Sequence, residues 1–180
     1  MIRYQKLAVI LISFCCTCQL YSQSWSQELA VTAMNTWSDS LLMQNGKPAK
    51  WAYDHGVVLE GIEAVWNQTA NNSYFTYIQK YADFYVGDNG NILTYKQDDF
   101  NIDNIKNGRT LLLLYKVTGK PKYLKAAMIL RAQLRSQPRT SDGGFWHKKI
   151  YPSQMWLDGL YMAEPFYAEY ADLFHEDTAF

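Results

Sequence analysis

Asp158 is the acid with the most suggestive company in this chain. It lies in Met155-Trp-Leu-Asp-Gly-Leu-Tyr-Met162, where a ring-rich loop runs into an apolar helix, and Trp146, His147, Tyr151 and Trp156 stand within a dozen residues of it. Such a loop suits a ligand with flat apolar faces and polar edges, as a sugar has, with rings to stack on C–H faces and an acid to move protons. The same residues also fit an Asp-capped helix start with aromatic core filler, and residue types alone do not separate the two readings.

The 17 basic and 17 acidic residues among 180 give no electrostatic reason to expect nucleic acid or an anionic membrane as partner. Aromatics make up 16% of the chain, with 14 Tyr and 6 Trp. That leans toward carbohydrate-binding grooves, although helical cores raise the same count.

Residues 1–22 read as a secretory signal peptide. Arg3 and Lys6 precede the apolar run from Leu7 to Cys18, which is too short to span a bilayer comfortably. Cleavage is expected after Ser22. Cys15, Cys16 and Cys18 all fall within this segment, leaving the mature chain without disulfides. The expectation is a secreted protein of the bacterial periplasm, free of the membrane once processed. Ile12-Ser-Phe before the cysteines makes a poor lipobox, so a lipid anchor is the lesser alternative.

From Gln27 onward the apolar residues recur at helical spacing and the class is all-α. Helices are expected at about 26–43, 54–67, 72–86, 103–117, 121–135 and 155–173, the last kinked at Pro165, with a loop over 91–102. The first should bury Leu29, Ala33, Trp37 and Leu41; the second Val58, Ile62, Val65 and Trp66; the third Tyr74, Ile78, Tyr81 and Tyr85. Leu111 to Leu114 should be buried on most sides.

Trp66, Thr69 and Tyr74 recur as Tyr115, Thr118 and Tyr123, an offset of 49 residues. At the same offset Asp54 corresponds to Asp103, and Asp158 follows Asp103 by 55. The repeating unit is a helix hairpin of about 50 residues, as in αα-toroids and α-solenoids. If the helices opening at Asp54, Asp103 and Asp158 are the inner ones and point the same way, their N-termini converge on one mouth that favours anions. Asp54 also fits a simple N-cap.

Four motifs together resemble the unsaturated rhamnogalacturonyl hydrolases, glycoside hydrolase family 105: Trp51-Ala-Tyr-Asp-His-Gly-Val-Val-Leu59, Phe100-Asn-Ile-Asp-Asn-Ile-Lys-Asn-Gly-Arg109, Pro138-Arg-Thr140 with Gly143-Gly-Phe-Trp-His-Lys148, and Tyr151 through Phe166. The related unsaturated glucuronyl hydrolases of family 88 match less well. The resemblance implies αα-hairpins of an (α/α)6 barrel and a substrate carrying a 4,5-unsaturated uronic acid, a pectin-derived oligosaccharide. It implies Asp158 as general acid and base, protonating C4 so that water adds at C5 and the hemiketal opens, and Asp103 as the second acid. Proximity of the two carboxylates and burial beside Trp156 are expected to keep Asp158 protonated near neutral pH. Trp156, His147, Trp146 and Tyr53 are implied to line the substrate subsite. Arg139 reads either as a carboxylate clamp or as a helix-end residue. No metal or cofactor is expected.

A full barrel of six hairpins needs roughly 300 residues after the leader. The chain is therefore expected to supply about half of one, within residues 26–180, and to be inactive or poorly folded alone, with Leu111 to Leu114 and the Tyr-rich helices lacking neighbours. The competing reading is a non-catalytic helical-repeat module that binds glycans or a partner protein. Oligomeric state is not readable from the sequence.

Overall fold

The computed structural model describes residues 24–38 and 43–176; residues 1–22, expected to be a signal peptide, and Leu41 lie outside them. Among the described residues six α-helices run in order: α1 Trp25–Thr36, α2 Tyr53–Thr69, α3 Asn72–Tyr85, α4 Gly108–Thr118, α5 Pro121–Ser136 and α6 Leu157–Phe174. Two 3₁₀ turns, Gln97–Asp99 and Ile102–Ile105, precede α4. β1 Met43–Gln44 and β2 Lys47–Pro48 form a minimal antiparallel hairpin. Its two-residue turn is Asn45-Gly46, both at positive φ, the conformation this dipeptide favours.

The repeat is physical. At the end of α2, Ala70 takes a left-handed conformation and its N–H bonds to the Trp66 carbonyl; at the end of α4, Gly119 does the same to Tyr115. Thr69 and Thr118 each donate a hydroxyl four residues back, to Val65 and Leu114. Each Thr hydroxyl then accepts the N–H two residues on, at 3.3 Å. The equivalent tyrosines, Tyr74 and Tyr123, are both buried in the core. An identical hydrogen-bond sequence therefore stops two helices and turns the chain into α3 and α5.

α4 is the central element, touching α2, α3, α5 and α6. Leu111 to Leu114 are all buried, and so are Tyr74, Tyr81 and Tyr85. This corrects the expectation that these faces would lack neighbours, because the hairpins on either side enclose them. Gly108 opens α4, and a Cβ there would overlap the Phe166 ring, so the absent side chain lets α4 and α6 approach closely. Much of the aromatic surplus is core filler, including the stack of Trp51 on Tyr81 at 5.9 Å.

What stays open is the outer edge. α1 stops at Thr36, earlier than expected, and buries Ala30 rather than Leu29 or Trp37. Leu29, Ala33, Trp37, Val57 and Val58 instead line an apolar groove of about 510 Å³ between α1 and α2. On α6, Leu157 is 86% exposed. Ile62 and Val65 are buried as expected for α2, and α6 runs through Pro165 to Phe174.

At the start of α2, buried His55 meets the Tyr81 hydroxyl at 3.1 Å through Nδ1. The Asn107 amide donates to the same hydroxyl at 3.1 Å and to the Ala52 carbonyl at 2.9 Å. Burial holds the His55 pKa below its ordinary 6.5, with Asp54 opposing only in part. A histidine lowered on folding favours the native state above the unfolded pKa, and that stability drains as pH falls toward the folded value. The melting temperature should therefore drop below about pH 6.5, and His55→Gln should flatten that drop. Parallel pH curves for the two proteins in thermal denaturation would contradict the assignment.

Candidate functional site

The ring-rich loop after α5 is tied down by backbone and buried amides. Arg139 and Phe145 form a bridge, and the Trp146 N–H reaches the Pro138 carbonyl at 2.8 Å. Two buried glutamines at the end of α5 fix the site segments: Gln137 donates to the Phe100 and Trp146 carbonyls at 2.7 and 2.8 Å, and Gln133 to Asn101 at 3.2 Å. Both glutamines escaped the sequence reading, since polar residues on an amphipathic helix read as its solvated face.

Asp103 sits in the second 3₁₀ turn, capped by the Asn101 side chain at 3.1 Å, and does not open α4 as expected. Asn107 and Gly108 place the start of α4 five residues later than Asp103. The Asp103 carboxylate is buried. One oxygen lies 3.1 Å from His147 Nε2 and the other 2.7 Å from Lys148 Nζ. The His147 contact is close but lacks hydrogen-bond geometry, since Asp103 Oδ1 and His147 Nδ1 are both buried without a hydrogen-bond partner. Lys148 is the functional residue sequence reasoning passed over, because a Lys-Lys pair after His147 reads as solvated charge.

Asp158 is the second residue of α6. It is exposed, without the burial expected beside Trp156, and no hydrogen bond or ion pair engages its side chain among the described residues. One oxygen of Asp103, one of Asp158 and a nitrogen of His147 lie within 4.8 Å of one another. Gly159 makes this approach possible, since a Cβ there would crowd Ile102 and come within 3.3 Å of His147 Nδ1. The three residues form a set that could hold a divalent ion, a cluster no sequence spacing revealed. Lys148 already supplies a positive charge to Asp103 in that place.

Trp156 is stacked against His147 at 4.3 Å and against Tyr151 at 5.0 Å, so its ring is built into the wall of the site. Trp146 is half-buried, with its indole N–H unpartnered. Arg139 donates to the Gly143 carbonyl at 2.6 Å and lies 4.1 Å above the Phe145 ring, which ties it to its own hairpin. Tyr53 is exposed at the first position of α2. Asp54 is outside the cluster and is not the N-cap expected: it is the second residue of α2, whose N-cap is Ala52, and its carboxylate accepts the His55 N–H at 3.0 Å. Glu164, whose carboxyl is raised by burial with Arg139 opposing, lines a small cavity with Trp156 and Gly159.

Helix hairpins thus bring a paired, buried carboxylate beside an exposed one, in an all-α chain whose family is shown by its relatives. The model of Glycosyl Hydrolase Family 88 matches residues 25–180, and the chain belongs to that family. Over 119 residues it is 29% identical to the unsaturated rhamnogalacturonyl hydrolase YesR of Bacillus subtilis (strain 168). A solved glycoside hydrolase from family 105 of C. acetobutylicum ATCC 824 is similar at a TM-score of 0.76 and 40% identity, over 84% of this chain. The YesR match takes in 63% of this chain. The chain spans 33% of the length of YesR and 40% of the solved structure. The hairpins thus correspond to part of an (α/α)6 barrel.

Proposed function

We propose that the protein removes a 4,5-unsaturated uronic acid from the end of pectin-derived, rhamnose-containing oligosaccharides by hydrating the C4=C5 bond. The observation that carries this reading is the unequal acid pair: Asp103 is fixed by His147 and Lys148, while Asp158 is exposed, unpartnered and aimed at the same few ångströms.

Asp158 donates its proton to C4, electrons of the double bond form the new C–H bond, and positive charge builds at C5 beside the ring oxygen. Water adds at C5 and loses its proton to the Asp158 carboxylate, which restores the acid. The hemiketal opens, C5 becomes a ketone, and the bond to the neighbouring sugar breaks as C1 becomes an aldehyde. Direct displacement between two carboxylates is not required. Lys148 and the N-terminus of α6 present positive potential to the uronate carboxylate. Trp156, held by His147 and Tyr151, forms the wall of the subsite, and Trp146, Tyr53 and Arg139 belong to its surroundings. Export through the leader at residues 1–22 is part of the same reading.

The family 88 match keeps one alternative substrate in view, an unsaturated glucuronyl disaccharide of the glycosaminoglycan type. Loss of ultraviolet absorbance on unsaturated galacturonyl-rhamnose, compared with a chondroitin-derived disaccharide, separates them. Preference for the first is expected; preference for the second would overturn the pectin assignment.

A further inference from the structure

We infer that Glu60, on α2, is a positioning residue that locks the Asp103 segment to the Asp158 helix through Lys106 and Tyr161. This rests on the proposed function of the acid pair.

Lys106 follows Asp103 by three residues, and Tyr161 follows Asp158 by three, so each lies about one turn beyond its carboxylate. Both converge on one group. Glu60 Oε2 pairs with the Lys106 ammonium and accepts the Tyr161 hydroxyl at 2.7 Å, while Oε1 pairs with Arg109 at the start of α4. Lys106 Nζ also sits 4.5 Å above the Tyr161 ring. A second tie lies further along, where Glu169 of α6 accepts from Arg109 at 3.0 Å and Lys116 at 2.7 Å.

The chemistry of this joint goes beyond adhesion. Lys106 is only 2% exposed, and an ammonium buried to that degree is costly unless paired and hydrogen-bonded. Apolar side chains would have held α2, α4 and α6 together without that cost. Directional bonds to Glu60 set the rotation of α6 about its own axis, because a one-residue turn of 100° would carry Tyr161 away from Glu60 and Asp158 away from its place beside Asp103 and His147. Burial alone would raise the Glu60 carboxyl, but the Lys106 and Tyr161 hydrogen bonds and the Lys106 and Arg109 charges together hold it below its ordinary value.

Tyr161→Phe deletes one hydroxyl and leaves the ion pairs intact; Glu60→Gln deletes the charge. In the full 180-residue chain, three quantities decide: Tm, kcat and KM separately on unsaturated galacturonyl-rhamnose, and amide hydrogen exchange. Tyr161→Phe should leave Tm within about 4 °C of wild type. It should lower kcat about tenfold with KM within about twofold, the signature of displaced reacting groups. Exchange should quicken together at residues 103–106 and 158–161 while α3 and α5 stay unchanged. Glu60→Gln should deepen the same pattern. Wild-type kcat in both variants, with only Tm lowered, marks a structural joint and overturns the inference. If wild type does not turn over the disaccharide, as expected of half a barrel alone, exchange decides: joint acceleration upholds the lock and unchanged exchange overturns it.

Discussion

Asp158→Asn should lower kcat by about three orders of magnitude, within the range for removing a positioned general acid–base, and should leave affinity for the unsaturated disaccharide within about threefold. The side chain is exposed and has no hydrogen bond or ion pair among the described residues, so the substitution removes a proton donor without removing a structural contact. Its effect on stability should be within about 0.5 kcal/mol. Asp103 differs in kind. Changing it would strand Lys148 and His147 beside a lost charge, so its kinetic and folding effects would be mixed. Asp158→Asn is the cleaner experiment, read by turnover and isothermal titration on the same preparation. A helical-repeat module that only binds glycans would show altered affinity and no turnover in either protein.

Phe166→Ala should destabilise the fold by about 3–5 kcal/mol, the usual cost of emptying a well-packed aromatic site. Phe166 is fully buried on α6, 5.8 Å from Tyr170 between ring centroids, and presses on the bare backbone of Gly108. Gly108 has no side chain to collapse into the space, which places the cost toward the upper end. Urea unfolding gives the number directly. A loss below about 1 kcal/mol would show that α4 and α6 repack freely, and the close approach of the two acid-bearing segments would then lack its support.

The fold was legible where local chemistry repeats. Trp66, Thr69 and Tyr74 against Tyr115, Thr118 and Tyr123 announced two equivalent helix ends, and the structure shows the same hydrogen bonds at each. The start of α4 was misread, because Asp103 looks like an N-cap while the chain needs a 3₁₀ turn there to bring Asp103 under His147. The first helix, expected to reach Met43, ends at Thr36, and Asn45-Gly46 beyond it is the strongest short hairpin signal, here turning β1 into β2. Asp103, His147 and Asp158 were each named from their motifs, and Asp158 was expected to be buried when it is exposed. What no motif contained was the joining of elements far apart in sequence: Lys148 to Asp103, Gln137 to two loops, Glu60 to Lys106 and Tyr161. Such contacts depend on tertiary packing, which periodicity along one chain does not encode.

The measurement that bears most directly on the hydration mechanism is turnover of unsaturated galacturonyl-rhamnose in D₂O, followed by ultraviolet absorbance and by NMR of the product. Asp158 as proton donor to C4 predicts that absorbance disappears in step with rhamnose release and that the product carries deuterium at C4. Rhamnose released while the C4=C5 bond survives would contradict the account, because the bond between the sugars would then have been cleaved directly.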